Sequence, residues 1–125
     1  MIVGSGVDLC DVARIKDAIA RYGSRFTERI YTDREIAYAQ SKANLYERYA
    51  ARFAAKEAGM KALGTGMHGG VRWRDFEVIN LPSGRPTLQF HGKAAEYAQR
   101  LGVQNTSLSM THTSVQAMAI VILEK

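Results

Sequence analysis

Cys10 is the only cysteine among 125 residues, so no intramolecular disulfide can form. Nowhere do about 18 apolar residues follow one another, which excludes a membrane-spanning helix. The opening MIVGSGVDLCD has a short apolar run and no basic lead, so it does not read as a secretion signal. No internal repeat and no low-complexity stretch breaks the chain. These absences predict one cytoplasmic domain over residues 1–125, with no membrane partner.

What is present is enough apolar material for a real core, at 46% hydrophobic residues, and a basic balance of seventeen Lys and Arg against twelve Asp and Glu. A net charge of +5 favours an acidic protein, a polyphosphate or a nucleic acid as partner. Element types alternate along the chain. A short apolar strand, Ile2 to Leu9, carries Asp8 at its end. A helix should follow, capped by Asp11, stopped by Gly23, and buried along Val12, Ile15, Ile19 and Tyr22. TDRE, Thr32 to Glu35, has capping-box spacing and opens a helix toward Gln40. A long alanine-rich helix spans about Ala43 to Leu63, with Leu45, Tyr49, Phe53, Met60 and Leu63 on one arc.

After Gly64 the texture turns to strand. VRWRDFEVINL and RPTLQFH flank the turn sequence PSG and read as a hairpin. KAAEYAQRL forms a helix stopped by Gly102, and two strands, about Thr106 to His112 and Val115 to Leu123, close the chain. The last, apolar on both faces, should lie centrally in its sheet. The expected fold class is α+β, a mostly antiparallel sheet packed on the long central helix.

Three features bear on chemistry. GTGMHG, Gly64 to Gly69, has the letters of a dinucleotide fingerprint but follows a helix and precedes a strand. That order is the reverse of what pyrophosphate binding needs, so these glycines read as a helix stop. GSG at Gly4 to Gly6 reads as close packing. On the long helix, Glu57 and Lys61 stand one turn apart beside the apolar arc, while Arg48, Arg52 and Lys56 make a like-charged row that an anion would relieve, or that forms a solvated ridge. Asp8 is the second acid. Were it to meet Glu57, two carboxylates with water and phosphate oxygens would suit Mg²⁺. His112 lies at the reversal between the last two strands, and Cys10 reads as a packed thiol.

GSGVDLCDVARI, RFAAKEAGMKALGTG, GRP at Gly84 to Pro86, and SLSMTHT with the apolar strand after it resemble, in order and over nearly the whole chain, the bacterial holo-[acyl-carrier-protein] synthases, small phosphopantetheinyl transferases. That resemblance implies transfer of the 4′-phosphopantetheine arm from coenzyme A to a serine of acidic apo acyl carrier protein in fatty acid biosynthesis. It implies Mg²⁺ held by Asp8 and Glu57, Lys61 at the phosphate or the serine proton, and Arg52, Gly84, Pro86, Thr111 and His112 at the nucleotide end. It also implies carrier docking through Arg14 and Arg21, and a homotrimer with sites between subunits. The competing reading, a small basic nucleic-acid-binding domain, would interleave aromatics with cations on a strand face. Here the cations lie mainly on helices, so no nucleic acid is expected.

Overall fold

The computed structural model describes all of residues 1–125. Its elements are β1 (Ile2–Asp11), α1 (Val12–Tyr22), α2 (Ser24–Ile30), α3 (Asp33–Gln40), α4 (Leu45–Leu63), a 3-10 turn (Trp73–Asp75), β2 (Phe76–Asn80), β3 (Pro86–Phe90), α5 (Gly92–Leu101), β4 (Asn105–His112) and β5 (Gln116–Glu124). The strands form two antiparallel sheets, one ordered β1-β5-β4 and a separate β2-β3 hairpin. The α+β class and the central place of β5 follow the sequence expectation.

Residue size explains how α4 lies on the larger sheet. Along β5, Ala117, Ala119, Val121 and Leu123 alternate into the core against α4, while Met118 and Ile120 point outward and stay exposed. On β1 the inward positions next to the helix are Gly4 and Gly6. A Cβ on Gly4 would stand 2.0 Å from the Ala62 carbonyl oxygen, and one on Gly6 2.0 Å from that of Ala58. The helix therefore touches the strand backbone to backbone, which only glycine permits. Two strand residues and four helix residues, the step from Ala62 to Ala58, advance by similar lengths, ~6.7 and ~6 Å, so the next inward residue, Asp8, falls beside the preceding turn of α4.

Helix α4 is buried on nearly every side, which decides against the solvated-ridge reading of its like-charged row at Arg52 and Lys56. Arg52 is 3% exposed and Lys56 0%. Lys56 Nζ sits 2.6 Å from Glu35 Oε1 and also donates to the Phe76 carbonyl. Glu35 accepts backbone N–H bonds from Thr32 and Val78, both at 2.8 Å. The capping box of α3 thus supplies the counter-ion for Lys56. Burial lowers the Lys56 pKa and Glu35 opposes that.

Several expected details change. The first strand runs on to Asp11, so Asp8 lies inside it and not at its end. Asp11 makes no side-chain cap on α1; its carboxylate accepts from Gln116 Nε2 at 3.1 Å. Tyr22 is 50% exposed, because the chain turns at Gly23 and α2, unmarked in the sequence pattern, brings Thr27 and Ile30 into the core instead. Helix α4 begins at Leu45 and not near Ala43, and the first β run after Gly64 keeps only Phe76–Asn80 as strand. Gly64 adopts φ 80° and stops α4 as expected, its N–H bonding back to the Met60 carbonyl at 3.0 Å. No helix is long and apolar enough to cross a membrane.

Candidate active site

The close fit of β1 on α4 brings Asp8, Glu57 and Lys61 together. Lys61 Nζ donates to Asp8 Oδ1 at 3.1 Å and to the Val7 carbonyl at 3.0 Å. Glu57 is half-buried, and its pKa is raised, first by burial and then by the adjoining Asp8 carboxylate, while Arg14 and Lys61 pull it down. A pair of like charges held this way accommodates a cation. Two hard carboxylates are also the donor set Mg²⁺ accepts, since it keeps several waters and uses few protein ligands. No cluster of three or more His, Cys, Asp or Glu offers a softer or fuller cage. Cys10 behaves as the packed thiol the sequence suggested: it is buried, and burial pushes its pKa up to about 11.

A second group of expected residues meets elsewhere. Arg52, Gly84, Pro86 and His112 line one cavity of about 210 Å³ with Tyr38, Arg48, Ala51, Asn80 and Met110. The Arg52 guanidinium lies 3.9 Å from the centre of the Tyr38 ring and donates to Asn80 Oδ1 at 3.2 Å. Arg52 Nε is buried with no partner, an unspent donor in a cationic recess. Tyr38 and Asn80 were missed in the sequence, where Arg48 stood out only through the like-charged row it makes with Arg52. Thr111 does not join them. It follows Met110 and precedes His112 on β4, so strand alternation turns its side chain to the exposed outer face.

The two groups are set apart within one chain. Arg52 and Glu57 are ~140° apart around α4, at 100° per residue. β1 and β4 form opposite edges of their sheet with β5 between them. Between those edges, on the face away from α4, Val7, Leu9, Met118 and Ile120 are all exposed.

Arg14 and Arg21 are both exposed on α1, but their surroundings differ. The Arg14 guanidinium sits 5.3 Å from the Phe53 ring centre and acts electrostatically on Glu57, so it belongs with the carboxylate pair. Arg21 lines a shallow groove with Asp17 and Tyr22, and the neighbouring groove is lined by Tyr22, Arg25, Phe26 and Arg29. Arg25 and Arg29 extend the basic strip onto α2, the helix that the sequence pattern left unmarked.

An antiparallel three-stranded sheet on a buried helix, with an acid pair at one edge and a cationic recess at the other, has close counterparts. The family model described as the 4′-phosphopantetheinyl transferase superfamily matches residues 4–121, and the chain belongs to that family. Within it, holo-[acyl-carrier-protein] synthase from Solibacter usitatus is 65% identical over 124 residues, 99% of each chain. The enzyme of that name from Koribacter versatilis is 61% identical over the same share of both. Among solved structures, holo-[acyl-carrier-protein] synthase from Neisseria meningitidis superposes with a TM-score of 0.91 at 32% identity over 100% of both chains. That from Helicobacter pylori, in complex with coenzyme A, gives 0.84 at 28% identity over 96% of this chain and 99% of its own.

Proposed function

We propose that residues 1–125 form one catalytic domain that transfers the 4′-phosphopantetheine arm of coenzyme A to a serine hydroxyl of apo acyl carrier protein, releasing adenosine 3′,5′-bisphosphate. The observation that carries this reading is the meeting of Asp8, Glu57 and Lys61 in a chain so like the holo-[acyl-carrier-protein] synthases from end to end. In the reaction the serine Oγ forms a bond to the phosphorus that bears pantetheine. The bond from that phosphorus to the bridging oxygen breaks, and the serine proton leaves. Such a transfer asks for positioning and charge neutralisation more than covalent help.

Asp8 and Glu57 would hold Mg²⁺, which when bound supplies charge neutralisation at the pyrophosphate. Lys61, on a stem free to swing from Asp8, offers a cation to the transferring phosphoryl oxygens. Arg48, Arg52 and His112 receive the phosphates of the nucleotide end, and the unpaired Arg52 Nε gains its partner there. The basic strip from Arg21 to Arg29 receives the acidic carrier protein. The site is shared between copies in a homotrimer: opposite sheet edges hold the two halves, and the apolar outer face of Val7, Leu9, Met118 and Ile120 supplies the interface. The reaction takes place in the cytoplasm.

The test is to incubate the protein with coenzyme A, Mg²⁺ and an apo carrier protein and follow the carrier by mass spectrometry. A gain of one phosphopantetheine arm is expected, and a carrier of unchanged mass refutes the reading. Light scattering on the same sample gives the mass of the assembly. A monomer at working concentration would refute the shared site.

A further inference from the structure

A carboxylate at the rim of an anion-binding recess is out of place unless its charge is already committed. Glu47, in the first turn of α4, stands one residue before Arg48 and five before Arg52. Its Oε1 lies 2.8 Å from His112 Nδ1, and the two side chains are 23% and 24% exposed. The groups with charge or a titrating proton that face His112 are Glu47, Arg48 and Arg52 from α4 and Tyr38 from α3. The hairpin contributes Asn80, Gly84 and Pro86, and β4 contributes Met110, none of them charged.

Imidazole chemistry turns this arrangement into a statement about protons. With Nδ1 engaged by Glu47, Nε2 is the ring atom left for the recess. A neutral ring that donates from Nδ1 has a bare, electron-rich Nε2, which repels an anion. Only the doubly protonated ring donates from both nitrogens at once. Glu47 on one side and a bound phosphate on the other favour that form, against the opposing charges of Arg48 and Arg52.

We propose that Glu47 is a positioning residue that makes His112 a proton-carrying ligand for phosphate: as the phosphate enters the recess, His112 takes a proton from solvent and donates Nε2–H to it, with Glu47 holding the other ring nitrogen. This rests on the reading that the nucleotide end of coenzyme A occupies the recess. Binding is then linked to proton uptake. Product affinity falls as the pH rises and the proton becomes costlier to take up.

The test uses adenosine 3′,5′-bisphosphate as probe and the full-length protein. Titration calorimetry at one pH near neutrality, in two buffers of different ionisation enthalpy, gives the protons taken up per probe bound. The probe's own phosphates titrate too, so the informative quantity is the difference between the wild type and His112→Gln. The wild type should take up more protons than His112→Gln, and Glu47→Gln should match His112→Gln. Both variants should weaken binding roughly 10- to 100-fold, the range for a hydrogen bond to a charged group, and the double variant should be no worse than either single one. Glu47→Asp, which keeps the charge on a shorter stem, should recover part of the uptake. A merely structural Glu47 would lower thermal stability and affinity without altering proton uptake, and that result overturns the proposal. So does additive weakening in the double variant. A wild type that binds no probe at any pH refutes the functional reading itself, whereas binding that ignores Glu47 refutes only this inference.

Discussion

Glu57→Gln keeps the side chain's volume and removes one charge from a pair whose surroundings already raise the Glu57 pKa, burial first and Asp8 next. Two unit charges ~4 Å apart at an effective dielectric of ~20 repel by about 4 kcal/mol. Arg14 acts against that, as does Lys61, whose Nζ is 3.1 Å from Asp8 Oδ1. Solvent screens the remainder to about 1 kcal/mol, the scale of a partly exposed pair. A raised carboxyl pKa means that the folded state holds the proton more tightly than the unfolded chain. The stabilisation this gives is full below the unfolded value of about 4.3 and is lost as the pH climbs through the raised value. Gln carries no such slope. Without divalent metal at pH 7.5, Glu57→Gln should therefore melt about 3–5 °C above the wild type. Mg²⁺ at about 100 times its Kd should add about 2.7 kcal/mol to the wild type and far less to the variant, reversing the order. Transfer to carrier protein should drop by orders of magnitude. Calorimetric melting with EDTA and with Mg²⁺, alongside the mass assay, reads all three. An unchanged melt in EDTA, or an undiminished Mg²⁺ shift in the variant, would refute the reasoning.

Lys61→Met keeps the stem and deletes the charge; since the side chain is 55% exposed, stability should change by only a few tenths of a kcal/mol while turnover collapses. Rates within about twofold of wild type would end its role at the phosphate. Arg21→Glu with Arg25→Glu should raise the KM for carrier protein and leave coenzyme A affinity nearly intact. Added salt should act in the same sense on the unmutated protein through a Debye length of about 8 Å at 0.15 M. Reversal of Arg14 is the poorer test, because it would set a third acid beside Glu57. Lys56→Met strands the Glu35 carboxylate in the core and should cost about 3–5 kcal/mol in denaturant unfolding, against well under 1 kcal/mol for a ridge residue.

Periodic signals carried the fold well. The capping box at Thr32, the glycine stop at Gly64 and the apolar run of β5 each encode local structure in a few adjacent residues, and each is found in place. Helix α2 escaped because its seven residues show too few turns for a period, and Thr27 is buried despite its hydroxyl. In the site, the meeting of Asp8 with Lys61 followed from residue type plus resemblance, since no local pattern says that residues so far apart in sequence touch. The burial of Lys56 was invisible for the same reason. Its counter-ion comes from another helix, and a helical wheel sees only its own. Thr111 faces away from the recess that His112 lines, a parity that becomes readable once the start of β4 is known.

The glycine contacts of β1 have a consequence for how the protein tolerates change. Distances between core side chains drift when a methyl is gained or lost, because neighbours repack. The spacing from Gly4 to Ala62 and from Gly6 to Ala58 has no side chain in it to repack, so it acts as a fixed datum from which Asp8 is measured against Glu57. Relatives could exchange much of their interior and still hold the acid pair at one separation. The same datum leaves no slack: a single methyl at Gly6 would displace the very edge from which the acid pair is set.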